Sequence, residues 1–266
     1  MSQTFILIDG SYFIFYRYYA LVNWWKHAQK EGEPRIENKE FLEKYEALFI
    51  EKIKEIKKKL KLKDAFIIAA KDCPRSHIWR SALYPPYKAT RVGDENVGSI
   101  FKHVYSNNLF AKAGCYSTMM SHPELEADDC IALFTKYIKG KFPSTLIYII
   151  ASDADYMQLK SPDISILNLK YKSLINNKTI FEDPLKNLFC KIVSGDKSDN
   201  IPAIISKCGI KTAIKYYENP EKFKQLLETN KYAEEQYKLN KTLIDFNEIP
   251  RKLCDDFMKA IIEKIY

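Results

Sequence analysis

Glu124-Leu-Glu-Ala-Asp-Asp-Cys-Ile-Ala-Leu-Phe134 sets three carboxylates, Glu126, Asp128 and Asp129, at the opening of an apolar stretch. Ile131, Leu133 and Phe134 read as the start of a buried helix spanning about 124–139. Glu126 and Asp129 stand at i, i+3 and share one face of it. Two readings are open at this point. The acids complement the positive end of the helix dipole, or they gather around a cation, since clustered carboxylates otherwise raise each other's pKa. The rest of the chain has to decide between them.

Outward from this helix, strands and helices alternate. Thr4-Phe-Ile-Leu-Ile8, Ala65-Phe-Ile-Ile-Ala-Ala70, Thr145-Leu-Ile-Tyr-Ile-Ile-Ala151 and Ile164-Ser-Ile-Leu-Asn-Leu169 are short apolar runs with β-branched members, and read as buried strands. Tyr12 to Trp25 reads as a helix whose aromatic residues are core rather than a stacking surface, with Ser11 placed to cap it. Asn38 caps a long amphipathic helix to about Leu60, with Phe41, Tyr45, Leu48, Phe49, Ile53 and Ile56 at helical spacing. Arg75 to Tyr84 is basic, aromatic and helical until Pro85-Pro86 breaks it. Residues 91–122 read as a mobile, partly helical excursion from the core. Asn176-Asn177, between Leu174-Ile175 and Thr179-Ile-Phe181, predicts a small hairpin. Asp183-Pro184 opens a helix to Val193, and 220–266 reads as helices broken at Pro220 and Pro250. The pattern predicts an α/β fold with a mostly parallel central sheet flanked by helices.

Three of the strands run into acids: Asp9, Asp72, and Asp153 with Asp155. Ligands of open α/β sheets bind at the carboxyl ends of the strands, so these acids are expected to meet Glu126, Asp128 and Asp129 on one edge. Hard oxygen ligands without His or Cys point to Mg²⁺ or Mn²⁺. Their number suggests two ions, the arrangement for in-line displacement at phosphorus. Asp196 and Asp199, in Gly195-Asp-Lys-Ser-Asp-Asn200, extend the set, although that string also reads as a solvated loop. Cys208-Gly209 followed by Lys211-Thr212-Ala213 reads as the turn of a helix–hairpin–helix, offering backbone N–H groups to phosphate.

Composition agrees. The 266 residues, 46% hydrophobic, suffice for one large domain or two modest ones. The net charge is +8; taking nine site acids from the 34 acidic residues leaves 25 against 42 basic ones, a body suited to a polyanion. Six dispersed cysteines without a CxxC pair, and four histidines without HExxH, argue against zinc and for free thiols in a reducing, intracellular compartment. The N-terminal run from Met1 to Asp9 is too short and lacks the basic region of a signal peptide, so secretion is not expected. No run of about 18 apolar residues exists to span a membrane.

Together these motifs resemble the flap endonuclease/5′-3′ exonuclease family nearly end to end. Leu7-Ile-Asp-Gly-Ser11 with Arg17 resembles the family's opening strand and helix, and Tyr87-Lys-Ala-Thr-Arg91 its YKxxR segment. Glu126-Ala-Asp-Asp129 matches ExDD, Ala151-Ser-Asp-Ala-Asp-Tyr-Met-Gln-Leu159 is similar to (T/S)xDxDxxQL, and Gly195-Asp-Lys-Ser-Asp-Asn-Ile-Pro202 matches GDxSDNIP. The hairpin departs from the family's GVxGIG, reading Ala203-Ile-Ile-Ser-Lys-Cys-Gly209. The second strand ends Ala69-Ala-Lys-Asp72 where bacterial members have Phe-Asp.

The resemblance implies a PIN-like, Rossmann-like catalytic domain over 1–182 with a helical arch over about 85–122, and a helix–hairpin–helix region with C-terminal helices over 183–266, packed on the first. It implies two-metal hydrolysis of DNA at 5′ flaps, nicks or 5′ ends, for flap or primer removal in replication and repair. Asp9, Asp72, Glu126, Asp128, Asp129, Asp153, Asp155, Asp196 and Asp199 become direct or water-mediated metal ligands, with Asp128 and Asp129 at the centre. Lys88 and Arg91 hold the scissile phosphate, and Arg17, Arg80 and Tyr87 join them in contacting DNA. The arch threads the single-stranded 5′ end. Gly209, Lys211 and Thr212 grip duplex phosphates and hold K⁺. The pattern is that of a monomeric, stand-alone bacterial, phage or large-DNA-virus enzyme, with no sliding-clamp peptide visible. Two alternatives stand beside it: a PIN-type ribonuclease, and a non-catalytic structure-specific DNA-binding protein.

Overall fold

The computed structural model describes residues 3–265; Met1, Ser2 and Tyr266, the outer ends of the N-terminal and C-terminal readings, lie outside it. In chain order the elements are β1 (Thr4–Asp9), α1 (Gly10–His27), α2 (Lys39–Lys59), β2 (Phe66–Ala70), α3 (Trp79–Leu83), α4 (Glu95–Ser106), α5 (Leu109–Lys112), α6 (Ala127–Lys141), β3 (Leu146–Ile150), β4 (Ile164–Leu167), α7 (Pro184–Ser194), α8 (Ile210–Glu218), α9 (Pro220–Thr229), α10 (Lys231–Ile244) and α11 (Arg251–Ile265).

The four strands pair in parallel in the order β2-β1-β3-β4. Register sets Ile8 beside both Ala69 and Ile150, so the strands end level and Asp9, Asp72 and Asp153 leave from one edge. The chain goes from β1 to one side, then crosses back to start β3 on the other. That reversal opens a crevice between the carboxyl ends of β1 and β3, where such sheets bind ligands. Phe5, Leu7, Ile147 and Ile149 pack against α6 and α11; Ile6, Ile8, Ile67 and Ile150 pack against α1, α2, α4 and α5. Both faces are covered, which is why the strands read as continuous apolar runs.

Asn38 caps α2 as expected, its Oδ1 accepting from Phe41 N at 3.2 Å. Four expectations are corrected. The cap of α1 is Asp9, not Ser11: Asp9 Oδ1 accepts from Tyr12 N at 2.9 Å, and Ser11 donates to Asp72 instead. Residues 91–122 are not a mobile excursion, because Val97, Ile100 and Val104 on α4, with Leu109 and Phe110, are buried beside α1 and α2. The exposed part is short, Ala89 to Asn96. No β-hairpin forms over 174–181, because Asn176 Oδ1 accepts from the amides of Lys178, Thr179 and Ile180, which compete with ladder formation. The aromatic residues of α1 are only partly core: Phe13, Tyr18 and Trp25 are buried, while Phe15, Tyr19 and Trp24 are exposed.

The C-terminal region shares the core of the sheet. Phe246, Ile249, Leu253, Phe257 and Ile261 enter the cluster that holds Phe5 and Leu7. α7 packs on α8 through Cys190, Val193, Ile204, Cys208 and Ala213. A smaller cluster, with Cys73, Ile78 and Tyr87 against Ile192, Ile201, Leu243 and Ile244, ties these helices to the segment after β2.

Candidate active site

The crevice is an open cleft of about 270 Å³ lined by Asp9, Asp72, Glu126, Asp128 and Asp153, with Ser11, Ser152, Tyr12, Phe15, Lys88 and Arg91. Each acid is placed by its element. Capping α1 fixes Asp9, whose Oδ2 accepts from the Tyr156 hydroxyl at 2.9 Å. Asp72 Oδ1 accepts from Ala127 N at 2.8 Å, docking the start of α6 beside β2. Asp153 Oδ1 accepts from Asp155 N at 2.9 Å and caps the turn after β3. Burial, then the neighbouring Asp72, pushes the Asp9 carboxyl up to about 7, against the pull of Tyr12 N–H and the Tyr156 hydroxyl. Burial, then Asp129 and Glu126, raises Asp128 well above the carboxylate range despite Arg80 and Lys88. A cation beside them would favour the ionised form of both carboxyls. Among the described residues no His or Cys lines the cleft, so its donor set fits a hard divalent ion.

Behind Asp128 the chemistry is different. Arg80 forks onto Asp129, Nη2 to Oδ1 and Nη1 to Oδ2, both at 2.7 Å; it also reaches Glu126 Oε2 at 3.1 Å and gives Nε to Leu243 O at 2.7 Å. Trp79 Nε1 adds a bond to Asp129 Oδ2 at 3.0 Å. Both Asp129 oxygens are thus engaged inside the protein, while one of them stays within 4.8 Å of oxygens on Glu126 and Asp128. Two expectations fall here. Arg80 is 2% exposed with its guanidinium consumed by these partners, so it does not contact DNA. Tyr87 is buried too, its hydroxyl donating to Glu126 Oε2 at 2.9 Å, so it supports the site from inside.

Lys88 and Arg91 stand at the rim. Lys88 has the left-handed φ of 53°, strained for a non-glycine residue. Its amide donates to Asp199 O at 2.9 Å, and its Nζ reaches Glu126 Oε1 at 2.5 Å and Asp199 Oδ2 at 3.6 Å. Arg91 pairs with the other Asp199 oxygen. Burial lowers the Lys88 pKa, but Glu126, Asp128 and Asp199 outweigh it and keep the ammonium charged.

A second acidic group lies beside the first. Asp155, Asp196 and Asp199 have carboxylate oxygens within 4.8 Å of one another, as do Glu126, Asp128 and Asp129. Lys191 sits among the second set, paired with Asp155, 2.8 Å from Asp196 and 4.0 Å from Asp153. Burial, against the pull of Lys191, raises Asp155 to about 7. Burial also opposes ionisation of Asp196, but Lys191 and Ser198 outweigh it and hold that group at about 2. Sequence reasoning missed Lys191, because a basic residue in the last turn of a helix reads as a partner of the dipole. It also missed Trp79 and Tyr156, whose roles appear only once distant segments meet.

The loop carrying Asp196 and Asp199 depends on Gly195, whose φ is +70° and whose added Cβ would lie 2.4 Å from Ile201 O. Asn200, also left-handed, bonds Pro86 O through Nδ2 at 3.0 Å. Arg17 lies outside the acid cleft, its guanidinium 4.9 Å from the Tyr16 ring. Gly209 and Lys211 are exposed at the start of α8 and Thr212 is half-buried; Gly209 caps the helix with extended backbone.

The family described as 5′-3′ exonuclease, N-terminal resolvase-like domain, matches residues 4–184. The 5′-3′ exonuclease of Buchnera aphidicola from Acyrthosiphon pisum is 28% identical over 285 residues, an alignment spanning 100% of this chain and 93% of the relative. That of Mycoplasmopsis pulmonis is 27% identical over 274 residues, spanning 95% of this chain and 84% of the relative. Among solved structures, phage T5 5′-exonuclease with bound divalent zinc superposes with a TM-score of 0.66 at 17% identity, over 98% of this chain and 99% of that one. The phage T5 flap endonuclease in a complex with DNA and metal ions gives 0.67 at 16% identity, over 98% of each chain.

Proposed function

This chain belongs to the 5′-3′ exonuclease family, and from that membership we propose a structure-specific 5′ nuclease that cuts DNA near the junction of single and double strands, at flaps, nicks or 5′ ends. It is a phosphodiester hydrolase, and it serves flap or primer removal in replication and repair. The observation that carries this reading is the cleft at the carboxyl edge of β1 and β3: five carboxylates with hard oxygens only, and two cationic side chains at the rim.

Asp9, Asp72, Glu126, Asp128 and Asp153 would hold one Mg²⁺ or Mn²⁺; Asp153, Asp155 and Asp196 would hold a second only by displacing Lys191, whose ammonium pairs with all three. Ions in these places supply charge neutralisation and an activated water. Lys88 and Arg91 bind the scissile phosphate, which competes with Glu126 and Asp199 for them. Asp129 and Arg80 hold the first turn of α6, so that Asp128 faces the cleft. Asp199 fixes Lys88 and Arg91 at the rim by accepting from both. Gly209, Lys211 and Thr212 at the start of α8 bind duplex phosphates, with K⁺ there as the family resemblance implies. The protein acts as a monomer, and it acts inside the cell, the compartment being supported by six free cysteines, five of them buried. No helix among the described residues is long and apolar enough to cross a membrane.

The test replaces Asp128 by Asn and follows binding and cleavage of a DNA flap together. Cleavage in Mg²⁺ should fall by about 10²-fold or more, as when a main transition-state stabiliser is removed, while binding survives. Equal loss of both would give Asp128 a structural role, and cutting of an RNA hairpin in preference to the flap would turn the reading to a ribonuclease.

A further inference from the structure

The outer face of α1 remains unexplained by the site. The 18 residues Gly10–His27 contain no acid, and their only charge before Lys26 is Arg17. One side is core: Phe13, Ile14, Tyr18, Leu21, Val22 and Trp25. The other side of a surface helix is normally polar; here Phe15 is 42%, Tyr19 43% and Trp24 42% exposed, with Tyr12 and Tyr16 between them half-buried.

This face continues the acid cleft. Tyr12 and Phe15 line the cleft beside Asp9 and Asp128. The same two residues begin an open hollow of about 450 Å³ that runs past Tyr16 and Tyr19 to Ala20 and Asn23. Ala20 then joins it to a third hollow, about 320 Å³, formed by Arg17, Leu21, Trp24, Lys44, Leu48 and Lys52. From Tyr12 to Trp24 the helix rises about 18 Å, enough for several successive bases.

The charges flanking this path are of both signs, with Arg17 and Lys44 the cations outside the Lys52 pairs. Lys44 Nζ lies 4.2 Å from the Trp24 ring centroid. Arg17 Nε is buried and, among the described residues, has no hydrogen-bond partner, a donor left without the acceptor that burial calls for. The acids nearby are Asp94, 3.4 Å from the Tyr19 hydroxyl, and Glu51 and Glu55, which pair with Lys52. Aromatic rings in a row beside cations are how proteins hold single-stranded nucleic acid without reading its sequence.

We propose that the outer face of α1 is the track for the single-stranded 5′ segment of the substrate, with bases stacking on Tyr16, Tyr19 and Trp24 and phosphates meeting Arg17 and Lys44. The proposal rests on the nuclease reading above. It gives the strand an exit along the helix surface, beside the short exposed segment Ala89 to Asn96.

The test measures binding in EDTA of two DNA junctions, one with a 20-nucleotide 5′ single strand of thymidines and one without it. Trp24 is the exposed tryptophan, Trp25 and Trp79 being buried, so its fluorescence reports contact directly. Wild type should bind the overhanging junction more tightly, with Trp24 emission quenched. Y16A/Y19A should lose about tenfold or more of that preference, and K44E should lower both the preference and its salt dependence. Both variants alter the surface, and a thermal midpoint close to wild type verifies their fold. An overhang that adds no affinity or leaves Trp24 emission unchanged, or a preference intact in both variants, overturns the proposal. A wild type that binds neither junction overturns the nuclease reading and this one with it. Self-association of wild type that Y16A/Y19A abolishes assigns the face to a second copy instead.

Discussion

Asp128 and Asp129 are neighbours in the chain with opposite surroundings. Asp128 faces other carboxylates and is raised by burial and repulsion; Asp129 is forked onto a buried Arg80. Breaking a buried pair from one side typically costs about 3–5 kcal/mol, so Arg80→Ala should destabilise the protein by that amount in a urea titration. Asp128→Asn removes a charge that the metal-free fold resists, and should leave metal-free stability unchanged or higher. The sign of the pH dependence follows from Asp9 and Asp155, both at about 7 in the fold against 3.8 as free carboxyls. Between these values the folded chain keeps protons that the unfolded chain has released, so stability falls as pH rises through the window. Asp196, held at about 2, works the other way, and its contribution is lost only as pH falls through about 4 toward 2. In EDTA the thermal midpoint should therefore decline from about pH 4 to pH 7, and Mg²⁺ should restore it at the upper end; a midpoint in EDTA that rises across that range would contradict these assignments. The sequence made the nine acids legible as a set, because strand ends and one helix start are readable signals. It did not show which acids face a cation and which face Arg80 or Lys191, since Arg80 lies 49 residues from Asp129 and Lys191 lies 36 from Asp155.

The element that couples the two halves is the loop from Gly195 to Pro202. It presents Asp196 and Asp199, gives Asp199 O to the Lys88 amide, and ties Asn200 to Pro86. Gly195→Ala would drive a Cβ against Ile201 O in a backbone region that side chains avoid. The expected loss exceeds about 1 kcal/mol, with a parallel fall in cleavage, since Lys88 and Arg91 lose their anchor. Gly98, inside α4 with open space around it, is the contrast: Gly98→Ala should stabilise by roughly 0.5–1 kcal/mol in the same unfolding experiment. The four strands were legible because burial on both faces leaves unbroken apolar runs. The helical character of α4 was legible, but its burial was not, because Val97, Ile100 and Val104 follow the largely polar stretch 91–96. The hairpin expected at Asn176 was lost to side-chain bonds that the sequence alone does not rank against a ladder.

At the scale of the whole molecule, the sheet edge, the segment after β2 and the helices beyond residue 183 meet around one cleft. α11 shares the core of the sheet and Arg80 links α6 to the end of α10, so the division near residue 183, plausible from sequence, does not divide the packing. A basic body around an acidic cleft was legible from composition; that α1 turns an aromatic face outward was not, because apolar residues on both sides of a helix read as burial. The central claim is that this cleft, with a divalent cation, cuts DNA at the base of a 5′ single strand. The direct measurement is product mapping on a double-flap DNA labelled at its 5′ end, with Mg²⁺ and with EDTA. With Mg²⁺ the account predicts label released from the 5′ side, as a flap oligonucleotide ending in a 3′-hydroxyl or as mononucleotides, and no product in EDTA. An uncut substrate in Mg²⁺ over a wide pH range, or cleavage that persists in EDTA, would contradict it.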